Sequence, residues 1–149
     1  MLFHPLVMLA LAGMAALCFA LAAAVVLRPN ARFFIYNIPI GFVFVLAALD
    51  WLSQFDRLTR AQMAVIVVTV GIALARIGGP AALPYSGHTV FALFALGTTR
   101  RGWVRLAAAA VLAQVTVLKL IFWQDATWFG GMLIGVVALV VYHAARSRD

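Results

Sequence analysis

The sequence predicts an all-α fold: a polytopic transmembrane helical bundle of six spans, with an irregular membrane-surface loop between spans three and four. Three observations predict it. Hydrophobic residues fill 66% of the 149 positions and charged residues only 10%, against roughly 45–50% and 25% in a soluble domain. The apolar residues fall in runs at about 6–27, 33–51, 61–77, 88–98, 104–123 and 128–142. The connections between runs are short and hold most of the arginines. A helical crossing takes about 20 apolar residues, so residues 1–149 read as a single integral membrane domain.

The first run is closed by Arg28-Pro29-Asn30, which ends a helix and begins a turn. It lacks a preceding Lys or Arg and is longer than the apolar region of a cleaved signal peptide, which favours a retained span. Within it Ala12, Ala16, Ala20 and Ala24 recur every four residues, a small-residue face that admits another helix and is a candidate contact for membrane-protein partners. Cys18, the single cysteine, allows no disulfide within the chain. The second run opens on Phe33, Phe34 and Tyr36, carries Pro39 in its first turns and ends at Asp50-Trp51; Asp50 is expected to pair with Arg57 or Arg60. The third ends at Arg76. Two prolines and three glycines within residues 78–87 exclude a regular helix, yet the stretch is apolar, as expected of backbone folded onto or into the membrane. The fourth run ends at Arg100-Arg101-Gly102, the fifth is interrupted by Lys119, and the sixth carries Gly131 and Gly135 as a close-packing pair. Trp103, Trp123 and Trp128 suit the membrane interface.

Lys and Arg set the orientation. With six spans, one side collects seven basic residues and the other three plus Lys119, so both termini are expected in the cytoplasm, with a bacterial inner membrane as the location. The net charge of +7 is spread in clusters between spans, a distribution that fits membrane lipids as partners and disfavours nucleic acid.

This topology places Arg76, Ser86-Gly87-His88, Lys119 and Asp125 on the non-cytoplasmic face. An ionisable residue within a span usually faces a bundle interior or an aqueous cavity. Over six helical residues the rise is about 9 Å, which the long Lys119 side chain partly spans toward Asp125. Each residue has a structural alternative: an interface anchor for Arg76, a helix cap or backbone bond for His88, and a bundle-closing ion pair for Lys119 with Asp125. Metal coordination fits poorly, because His4 and His143 lie near the opposite face and no ligand spacing is present; no cofactor is expected. A set of cations beside a helix start suits an anion such as phosphate.

Pro84-Tyr85-Ser86-Gly87-His88 resembles the central motif of the type 2 phosphatidic acid phosphatase superfamily, whose members share a six-helix bundle and often act on lipid phosphates or isoprenoid pyrophosphates. The resemblance covers roughly residues 76–135. It implies that Ser86 and Gly87 contact phosphate, that His88 protonates the leaving oxygen, that Arg76 is a loose counterpart of the first motif, and that Asp125 ends the third motif. At the position of the family's nucleophilic histidine stands Ile121, so the phosphohistidine route is closed, and Lys119 lies too near Asp125 to be that motif's arginine. Three outcomes stay open: a metal-independent lipid phosphatase that uses water directly, with His88 and Asp125 as its catalytic residues; an inactive relative that binds a phosphorylated lipid through Arg76, Ser86, Gly87 and Lys119; or an unrelated membrane protein. A non-catalytic subunit or assembly factor of a larger membrane complex is the competing class.

Overall fold

The computed structural model describes residues 32–78 and 83–146. They form five α-helices: α1 (Arg32–Leu52), α2 (Arg60–Gly78), α3 (Gly87–Thr98), α4 (Gly102–Val117) and α5 (Thr127–Arg146). A 3-10 turn at Phe55–Arg57 follows α1, and a π turn at Leu118–Phe122 continues α4. No strand occurs among the described residues. The helices coincide with the second to sixth apolar runs. The first run, with its alanine face and Cys18, lies outside the described residues, as do residues 79–82 of the connection between α2 and α3. That connection is irregular over Leu83–Ser86, but narrower than expected, because Gly78 still belongs to α2 and Gly87 already to α3.

The shortest helix is the central one. Helix α3 packs against all four others, and Val90, Ala92, Phe94 and Ala95 are wholly enclosed. Around it, α5 approaches through its glycines: a Cβ on Gly135 would stand 2.8 Å from a Leu93 methyl. Aromatic edges fill the space farther along, where Phe94 meets Trp51 and Tyr142 at centroid distances of 5.9 and 5.8 Å, within the range of attractive offset and T-shaped contacts.

On α5 glycines face inward and large apolar side chains outward. The inward positions are Gly131, Gly135 and Tyr142, while Phe129, Leu133, Val137 and Val140 are 54–67% exposed. On α1 the stripe Ile38, Phe42, Val45, Leu49 and Leu52 faces outward. The interior meanwhile holds Asp50, Gln54, Gln62, Thr69, Thr89 and Lys119. Water would penalise so continuous an apolar surface, whereas hydrocarbon solvates it and leaves small residues to bring helices together. Two helices, Gly102–Phe122 and Thr127–Arg146, are long and apolar enough to cross a membrane, and Asn37–Leu52 and Gly87–Thr98 are shorter apolar helices.

Candidate functional site

The site is assembled around the first turn of α3. Ser86 has extended backbone and its Oγ accepts from Thr89 N at 3.4 Å, so it is the N-cap of α3; serine is favoured there because its oxygen meets an amide left unbonded by the helix. Its own N–H donates to Thr127 O at 2.9 Å, tying the turn to the start of α5. Glycines permit this approach from both sides. A Cβ on Gly87 would collide with the backbone carbonyl of Ala73 in α2, and one on Gly131 would lie 2.7 Å from Ser86 O. On the α2 side, Arg76 Nε donates to Tyr85 O at 3.2 Å and Tyr85 Oη to Ile72 O at 2.9 Å. Arg76 therefore holds the segment before the turn.

Lys119 enters from the other side, four residues after the buried Val115 on the inner face of α4, and a π turn redirects the chain that follows it. Trp123 N bonds to Leu118 O, five residues back, at 2.9 Å, which inserts one extra residue into the helical repeat. In an unbroken α-helix Phe122 would follow Leu118 onto the inner face. Instead Leu118 and Lys119 are buried, and Ile121 and Phe122 are 67% and 57% exposed. The chain then reverses at Gln124, whose φ of 49° is left-handed, and Asp125 N returns to Lys119 O at 2.8 Å. The Lys119 ammonium donates to the Asp125 carboxylate and to Thr127 Oγ1, the latter at 3.0 Å. This corrects the expected geometry: the pair meets because the backbone folds back, not by reaching along a helix. Asp125 Oδ1 also accepts from Thr127 N at 2.9 Å, an Asx-type cap on α5. Partial burial raises the Asp125 pKa, but the hydrogen bonds from Lys119 and Thr127 outweigh it and hold the carboxyl below its usual range.

Lys119, Asp125, Thr127 and Ser86 thus form one connected network, with Arg76 joined through Tyr85. His88 adds a contact to α1. Its Nε2 lies 3.0 Å from Asn37 Oδ1 of α1, and it borders a cavity of about 300 Å³ between α1, α2 and α3 lined by Ile40, Phe44, Ala73 and Phe91. Asp125 is not among the residues that line this cavity. Among the described residues no group of three His, Cys, Asp or Glu converges.

Two further corrections concern neighbours. Asp50 does not pair with Arg57 or Arg60; it meets Arg101 Nε at 3.4 Å and accepts from Arg100 N and Gln54 Nε2 at 2.7 and 2.6 Å. The hydroxyl of Ser86 faces its own helix as a cap, so the cap role that the sequence offered to His88 belongs to Ser86. Asn37, Tyr85 and Thr127 were missing from the sequence-derived set. Thr127 had a signal, since Asp followed two residues later by Thr is a turn-forming pattern; Asn37 had only its amide within an apolar run.

No protein-family model, curated protein or solved structure matches this chain.

Proposed function

We propose that the chain is a six-span membrane protein, with both termini in the cytoplasm, that binds the phosphate group of a lipid phosphate or isoprenoid phosphate at the non-cytoplasmic face. What carries the reading is Lys119: a lysine only 8% exposed, in an apolar helix, connected through Thr127 to the Ser86-Gly87-His88 turn. A buried ammonium needs an anion. Its present one, Asp125, is 32% exposed, so an incoming phosphate reaches the cation from the open side by displacing the carboxylate, exchanging one anion for another. Helix α3 supports the recessed position of this turn. Its 12 residues span about 18 Å, short of a hydrocarbon core of about 30 Å, and irregular backbone at such depth needs protein around it, which the clamp by α2 and α5 supplies.

The chemistry left open is limited. Ile121 faces away from the site, so neither its identity nor its direction suits a covalent nucleophile, and any hydrolysis would run by direct attack of water with His88 protonating the leaving oxygen. Binding without turnover is the function proposed. Lipid-phosphate binding and phosphate release, measured across a panel of lipid phosphates on the wild type, Lys119→Met and His88→Ala, tests it. Binding should fall at least about tenfold in Lys119→Met, about 1.4 kcal/mol. Release abolished in His88→Ala would instead establish a phosphatase.

A second reading, a non-catalytic subunit of a larger complex, draws on the cleft of about 480 Å³ between α2 and α5, walled by Val68, Ile72, Leu133 and Val137. Unchanged lipid binding in Lys119→Met would put that reading first.

A further inference from the structure

Helices α1 and α2 follow each other in sequence, yet α1 rests on α3 and α4, and α2 on α3 and α5. A groove is left between them. At one end it is the cavity of about 300 Å³ beside His88; at the other a second hollow, of about 290 Å³, lies between Leu52 and Val67. The two belong to one furrow, because their walls continue each other. On α1 they are lined by Asn37, Gly41 and Phe44, then by Ala48 and Leu52, and steps of three and four residues keep these on one helix face. On α2 steps of four and seven join Met63 and Val67 to Leu74. The groove is apolar except at one end, where Asn37 and His88 meet at 3.0 Å beside the first turn of α3. At the other end Trp51 turns its indole N–H away to Thr98, at 3.2 Å. Gly87 and His88 belong both to the Ser86-Gly87-His88 turn and to the groove wall, so the turn and the groove are continuous.

An apolar furrow with polar groups at one end matches the chain of an amphiphile whose head sits at that end. Length decides which amphiphile. From Asn37 to Leu52 the helix rises about 22 Å, which exceeds one leaflet, about 15 Å of a hydrocarbon core of about 30 Å. An acyl chain anchored at the non-cytoplasmic face ends within its own leaflet and leaves the far hollow unfilled, whereas a polyprenyl chain continues past it. We propose that, on the reading of Lys119 and the Ser86-Gly87-His88 turn as a phosphate site, the ligand is a polyprenyl phosphate whose single chain lies along the α1–α2 groove. Of the two ligand classes that the phosphate site admits, the groove selects the isoprenoid one.

The full chain in neutral detergent, titrated with a long polyprenyl phosphate, a short prenyl phosphate, phosphatidic acid or the long polyprenol and read by retained ligand in native mass spectrometry, tests the groove. The long polyprenyl phosphate should be retained at least about tenfold over the short one and over phosphatidic acid. Ala48→Leu and Gly41→Leu each extend a side chain into the groove and should lower that retention at least about tenfold. Val45→Phe enlarges a position on the outward face of α1 and should alter it less than about twofold. Ala48→Leu should leave the short prenyl phosphate as it was, since only a long chain passes that point. Equal retention of the long and short phosphates would overturn the proposal, as would equal losses in Ala48→Leu and Val45→Phe. A lower melting temperature in Gly41→Leu with unchanged retention would mean that protein covers the groove, and would overturn it too. Equal retention of polyprenol and polyprenyl phosphate, with the Ala48→Leu loss intact, would instead overturn the phosphate site and leave the groove to the chain. If Ala48→Leu does not fold, Gly41→Leu carries the comparison, because a Cβ there meets nothing within 4 Å.

Discussion

The two buried charges among the described residues are mirror images. At one end a cation is enclosed: Lys119 is 8% exposed and its partner Asp125 32%. At the other an anion is enclosed: Asp50 is 1% exposed and its partner Arg101 52%. Their supporting contacts differ. Asp50 Oδ2 accepts from Gln54 and from the Arg100 backbone, so uncharged donors compensate part of its desolvation, whereas the buried Oδ1 has only the Arg101 guanidinium beside it. Lys119 relies on a carboxylate and the Thr127 hydroxyl. The difference teaches that burial alone does not determine how much a buried charge depends on its counter-ion; the neutral donors and acceptors around it matter as well.

Removing the counter-ion at each end breaks or sharpens this comparison. Asp125→Asn leaves Lys119 buried without an anion and should lower stability by about 3 kcal/mol, measured as thermal unfolding in detergent. The double variant Lys119→Met/Asp125→Asn should recover most of the loss, because the uncompensated charge is gone. No loss in the single variant would show that water reaches Lys119 and would dissolve the contrast. Next in size is Gly131→Ala, whose Cβ would stand 2.7 Å from Ser86 O and 2.8 Å from Thr89 Cβ; forced separation of α3 and α5 should cost about 2 kcal/mol and weaken the Ser86–Thr127 tie, seen as faster amide exchange at Ser86. At the arginine end, Arg101→Gln removes the cation beside Asp50 Oδ1 but leaves both neutral donors on Oδ2, and should cost about 1 kcal/mol. A cost matching Asp125→Asn would refute the ranking.

The smallest effect is titration. The Asp125 pKa is lowered from 3.8 in the folded chain, so its ionised form is favoured by folding. That contribution is complete above about pH 4 and disappears as the pH falls through the lower folded value. Melting temperature should accordingly fall on acidification below about pH 4, and less steeply in Asp125→Asn. Identical acid profiles would mean that the exposed side of Asp125 is solvated enough to cancel the effect.

How much of this was legible beforehand depends on the range over which each feature is determined. Helices α1 to α5 were legible because apolar runs and Pro/Gly punctuation are local; the apolar run puts the start of α3 at His88, although Ser86 two residues earlier carries the local signal of an N-cap. Lys119 and Asp125 could be named as partners, but not the way they meet: nothing in Leu118-Lys119-Leu120-Ile121-Phe122 announces a five-residue hydrogen bond, since each residue is compatible with an ordinary helix. The partner of Asp50 was misjudged because Arg57 and Arg60 are near in sequence, while Arg101 becomes near only when α1 packs on α4 and α3. The neighbour of His88, Asn37, lies 51 positions away and was invisible for the same reason.

The extra residue at Leu118–Phe122 has a consequence for what single-residue length changes would do. Each residue added to a helix turns everything after it by about 100°. Deleting Leu120 would let the ordinary repeat run on from Val117, so that the chain would leave α4 in a new direction and the reversal at Gln124 would no longer bring Asp125 over Lys119. A substitution scan of this turn would find no such dependence, because the side chains of Leu120, Ile121 and Phe122 are not what holds the cation in place. What the molecule counts there is residues, and its polar centre is in that respect encoded by length before it is encoded by chemistry.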